Sequence, residues 1–136
     1  MKKDPTRDYI TEAFRAYAAY GEKSEEEARG IMGERAGSCE PLLSDIAAVH
    51  ETLRLLRHAG RTDIVDAVRS VYFTDASHVP RRGSFSARAL AFAVDYPTSE
   101  RNVYLWLREA RLLCAALRGL TVSEEERERY VDKYFG

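Results

Sequence analysis

A chain of 136 residues, 45% hydrophobic and 10% aromatic, has the length and apolar content of one folded domain, or of one domain with a helical appendage. Its formal net charge of −1 gives no global cationic field, and no apolar run approaches the length that spans a bilayer. The opening MKKDPTRDY lacks the apolar core of a secretory signal, and Cys39 and Cys114 lie in no paired-cysteine motif. We therefore expect a cytoplasmic protein with two free thiols and no membrane partner.

Almost every segment reads as helix. Asp4 followed by Pro5 is a start signal, Ile10, Ala13, Phe14 and Tyr17 give one buried face, and Gly21 is the stop. Ser24 with Glu27 forms a capping box for a second, strongly charged helix running toward Gly37 on the surface. A third helix spans about residues 40–58, with Leu43, Ile46, Val49 or His50, Leu53 and Leu56 inward and Gly60 at its end. Thr62 or Asp63 begins a fourth, with Ile64, Val65, Val68, Val71 and Tyr72 inward. VRSVYF has the composition of a short strand, but the spacing of Ile64, Val68 and Val71 favours helix. Residues 74–83 are the one obvious extended loop. Ser123 with Glu126 caps a final helix whose Tyr130, Tyr134 and Phe135 either dock a partner or fold back on the core; burial of aromatics favours the second.

The stretch between that loop and the final helix carries the most information. Residues 84–95 form a short apolar helix with Ser84 or Ser86 available as N-cap. Tyr96 and Pro97 break it, and Thr98 or Ser99 restarts the chain as the cap of a longer helix. On that helix Val103, Trp106, Leu107, Ala110, Leu113, Cys114 and Leu117 fall on one face, which places Trp106 in the core. Arg101, Tyr104, Arg108 and Arg111 recur on another. Short helix, brief turn and longer basic helix make the pattern of a helix-turn-helix, with Tyr96 and Pro97 where the turn usually holds glycine. Charge is distributed to match. Residues 79–120 hold seven arginines against Asp95, Glu100 and Glu109, whereas residues 22–40 hold six glutamates against three cations.

The run SERNVYLWLREAR resembles the recognition segment of region 4 in bacterial sigma factors, and of similar phage-encoded transcriptional regulators. Ser99, Glu100, Arg101, Val103, Tyr104, Trp106 and Leu107 match that segment. Asn102 stands where threonine is usual, and Leu105 where arginine or lysine is usual. The resemblance covers about residues 84–120. It implies a sequence-specific DNA-binding transcriptional regulator of phage or mobile-element type, with double-stranded DNA as partner and RNA polymerase or another transcription protein as a second. Ser99, Arg101 and Asn102 would then stand nearest the bases, Tyr104, Arg108 and Arg111 along the groove, and Arg81 and Arg82 on the flanking phosphates. Arg88 on the short helix invites the same use. The competing class is a helical protein–protein interaction module of helix-turn-helix shape, favoured by the near-zero net charge and by Leu105.

Other groups suggest less. His50, His58, His78 and the two cysteines lack the short spacing of a zinc site, and His50 on an apolar face reads as a satisfied core histidine. No nucleophile motif, phosphate-cradling loop or acid pair is present, so neither catalysis nor a cofactor is expected. Leu105 and Leu112 lie off the main apolar stripe. They suit either a homodimer face or burial against the N-terminal helices, and burial is preferred. The expected whole is an all-α helical bundle in three regions: N-terminal helices over 1–60, a helix-turn-helix unit over 61–120 and a C-terminal helix over 121–136.

Overall fold

The structure, a computed structural model, describes residues 4–120 and, beyond them, Glu125, Glu128, Arg129, Lys133 and Tyr134. The fold is all-α, with no strand among the described residues. Helix α1 (Pro5–Ala19) begins where the Asp4 side chain accepts from the amide of Arg7 at 3.0 Å, with Pro5 filling the first position. It ends on Gly21, whose φ of +82° lets the Glu22 amide return to the Tyr17 carbonyl at 3.0 Å. The capping box of α2 (Glu25–Met32) is formed by Ser24 and Glu27. This helix stops earlier than its sequence suggests. Gly33 takes a φ of +59°, and residues Gly33–Ser38 tighten into a 3₁₀ turn. Its surface position holds for the charged side, while Ala28 and Met32 are buried.

Helix α3 (Glu40–His58) is the floor of the molecule. Leu43, Ile46, Val49, Leu53 and Leu56 on its inward face are all 0% exposed. Helix α4 (Thr62–Val68) follows Gly60 and runs into a π-helical turn (Arg69–Phe73). VRSVYF is therefore helical, as the spacing of its valines requires, and the extra residue per turn swings Tyr72 and Phe73 toward α1 and α5. Helix α5 (Ser84–Asp95) corrects one expectation. Neither Ser84 nor Ser86 caps it. The cap position belongs to Gly83 at φ +80°, which leaves Ser84 as the first helical residue. Helix α6 (Glu100–Arg118) is capped by Ser99, whose hydroxyl accepts from the Asn102 amide at 3.1 Å, and it ends at Gly119 in the left-handed conformation.

One core joins all of these. Its cluster takes buried side chains from every helix, on both sides of residue 60. Helix α6 lies principally across α3 and α4, with further contact to α5 and α1. The N-terminal helices are thus the support on which α6 rests. At its middle α6 also receives Tyr134, which is buried and donates to Glu109 at 2.8 Å beside a Lys133–Glu109 pair at 2.6 Å. Burial pushes the Glu109 carboxyl up, but the bonds from Lys133 and Tyr134 outweigh it and hold it below the usual range. Tyr134 therefore folds back on the core; Ser123, Glu126, Tyr130 and Phe135 lie outside the described residues.

Arg15 is the unexpected member of the interior. It is 5% exposed, and its guanidinium donates to the carbonyls of Asp75 and Ala76, both at 3.3 Å, and to that of His78. Glu12 is its counter-ion at 3.4 Å. A buried cation is tolerable only when so partnered, and here it ties the loop of residues 74–83, which carries Arg81 and Arg82, down onto α1.

Candidate nucleic-acid interface

The turn between α5 and α6 is built without glycine because none of its residues needs a positive φ. Tyr96 sits at φ −93°, and its amide closes the last turn of α5 on the Phe92 carbonyl at 2.8 Å. The Thr98 amide returns to the Ala93 carbonyl at 3.0 Å. The Tyr96 ring stacks on Phe92 at 4.9 Å between centroids and meets the edge of Trp106 at 5.9 Å. This aromatic clamp fixes the angle between the two helices. It also explains why Trp106 is half-buried and not buried as its stripe suggests: the ring covers the turn instead of entering the core.

Below the turn α6 is anchored by Val103, Leu107, Ala110, Leu113 and Cys114, each no more than 2% exposed. The opposite side faces solvent. The side chains of Arg101 and Arg108 are exposed and make no hydrogen bond or ion pair with another described residue. The same is true of Arg81 and Arg82 in the loop ahead of α5. These four cations have no internal role to give up on meeting a polyanion. The remaining candidates are more committed. Ser99 is exposed but spends its hydroxyl on the cap, and the Asn102 side chain donates to the Thr98 hydroxyl at 3.2 Å.

Tyr104 and Arg111 turn toward a different surface. With Arg7, Thr11, Tyr72 and Phe85 they line a cleft of about 290 Å³ between α1, the π-turn, α5 and α6. Arg111 donates to the Tyr72 hydroxyl at 2.7 Å. Arg88 is similarly occupied, donating to the Val71 carbonyl at 3.1 Å and facing Asp75 at 3.7 Å. The structure thus leaves Arg101 and Arg108 on the outer surface of α6, turns Asn102 back to Thr98 and commits Arg111 to the cleft. Leu105, for which burial is the sequence expectation, is 48% exposed between the arginines, whereas Leu112 packs against the core as expected. The burial of Arg15 has no signal in the sequence, because its carbonyl partners lie about sixty residues away.

Away from this surface, His50 is half-buried with its Nδ1 at 2.8 Å from the Tyr17 hydroxyl, which agrees with a satisfied core histidine. Cys114 is 1% exposed, and burial pushes its thiol up to about 12. Cys39 is half-buried at the start of α3. A disulfide-exchange reagent at pH 8 is therefore expected to label Cys39 in the native protein and Cys114 only on unfolding. Labelling at Cys114 in the folded state, read by peptide mass, would contradict this packing.

No family model, curated protein or solved structure matches the chain.

Proposed function

We propose that this chain is a sequence-specific DNA-binding transcriptional regulator, acting by binding and not by catalysis, that inserts the N-terminal turns of α6 into a major groove. The observation that carries this reading is the division of α6. One side is locked into the core through Val103, Leu107 and Ala110, while the other presents the Arg101 and Arg108 side chains to solvent with no partner among the described residues. A helix that reads base edges needs both properties, since it must be held rigidly and still offer forked donors outward. Arg81 and Arg82 supply backbone contacts beside it. The resemblance of residues 99–111 to sigma region 4 supports the same reading, and with it a phage or mobile-element setting and RNA polymerase or another transcription protein as a second partner.

A second reading draws on the outer side of α5. Leu90 is 53% and Val94 72% exposed, flanked by exposed Ala87 and Ala91. That face suits a protein–protein interaction module or a homodimer in which the helix-turn-helix shape is not used on DNA. The two readings separate in one experiment, a binding selection from random duplexes with the full chain at fixed salt. An enriched motif is the expected result. Enrichment of no motif favours the interaction module.

A further inference from the structure

The outermost line of α6 is Arg101, Leu105, Arg108, at spacings of four and three residues, so the three side chains stand one above another on a single stripe. Leu105 is directly opposite the anchoring face, since Val103 at 0% and Leu107 at 2% exposure bracket it. No packing requirement accounts for it. Leu112, two turns further on, packs against the core, so the apolar exposure of this stripe belongs to Leu105 alone. A leucine held at 48% exposure between two arginines that pair with no described residue is poorly placed to join a second copy of the chain, because an antiparallel pairing centred on it sets arginine against arginine.

We propose that Leu105 reads the 5-methyl group of a thymine in the major groove, a role that rests on the DNA-binding reading above. The thymine methyl is the one apolar group that the major groove exposes. With Arg101 and Arg108 drawn to guanine edges or phosphates on either side, the shorter leucine meets the base pair between them. Contact removes both apolar surfaces from water. Cytosine at that position offers no methyl, and its amino donor loses water to a side chain that cannot accept a hydrogen bond. Leu105 therefore both favours thymine and disfavours cytosine.

The test has two stages, so that failure of this assignment is distinct from failure of DNA binding. Selection from random duplexes with the wild-type chain first defines a motif; absence of any motif overturns both readings together. Each thymine of the motif is then replaced by deoxyuridine, which deletes only the methyl, and affinity is measured by fluorescence anisotropy at fixed salt. One position is expected to lose about fourfold, the worth of one buried methyl. Leu105→Ala should bind thymine and deoxyuridine duplexes alike at that position while keeping the wild-type unfolding midpoint, because the side chain is exposed. A motif without thymine, insensitivity of the wild type to every replacement, or undiminished sensitivity in Leu105→Ala would each overturn the assignment and leave the regulator reading intact.

Discussion

Under the proposed DNA-binding role, replacing Arg101 and Arg108 separately by alanine is expected to damage binding in two different ways. Arg101 lies in the first turn of α6 beside the Ser99 cap, at the end that enters a groove in a helix-turn-helix docking. Its fork matches the two acceptors of guanine, so Arg101→Ala should cost about 1 to 3 kcal/mol at one base pair and flatten the preference there. Arg108 stands two turns further along, where the helix draws away from the bases. Arg108→Ala should weaken all duplexes alike and shrink the log–log salt slope by about 0.9, the signature of one lost phosphate contact. Both side chains are exposed and unpaired among the described residues, so neither change should move the unfolding midpoint. Arg111→Ala is a useful contrast, because Arg111 is bonded to Tyr72 inside the cleft and its loss acts on packing there. Titrations of the enriched motif and of a scrambled duplex over a salt series decide the matter. An Arg101→Ala protein with an unchanged motif would show that α6 docks in another way.

Phe14→Ala is expected to have the largest effect on stability. Phe14 is 0% exposed at the centre of α1 and stacks on Tyr72 of the π-turn at 5.7 Å, and Tyr72 in turn meets the edge of Phe85 on α5 at 5.4 Å. Truncation removes the ring and leaves a cavity where three elements meet. The cost should be about 3 to 5 kcal/mol, lowering the unfolding midpoint by on the order of 10 °C. Because a single core joins α1 to α6, loss of helical circular dichroism and loss of the proposed DNA binding should coincide on heating. A loss below about 1 kcal/mol would show that α1 does not carry the support assigned to it.

The helices of this protein are legible in its sequence because the signals that make them are local. Asp4 with Pro5, Ser24 with Glu27 and Ser99 with the Asn102 amide each act within three residues, and the heptad-like spacing of Leu43, Ile46, Val49, Leu53 and Leu56 names its own buried face. Local signals also misled where two helix starts compete. Two serines near residue 84 suggest a cap, yet a glycine able to adopt φ +80° begins the helix one position earlier.

The division of the arginines is another matter. By residue type and spacing Arg88, Arg101, Arg108 and Arg111 are equivalent, and Arg15 is unremarkable beside Phe14. Only the packed molecule separates them. Arg15 is taken by loop carbonyls about sixty residues distant, Arg88 by Val71 and Arg111 by Tyr72, while the Arg101 and Arg108 side chains bond no described residue and Leu105 is left exposed between them. A guanidinium bonds whatever acceptor the fold brings within reach, and that acceptor need not be near in sequence. Most helix caps and most of each core stripe were therefore written in the chain. Which cations remain free to meet a partner was decided by tertiary contact alone.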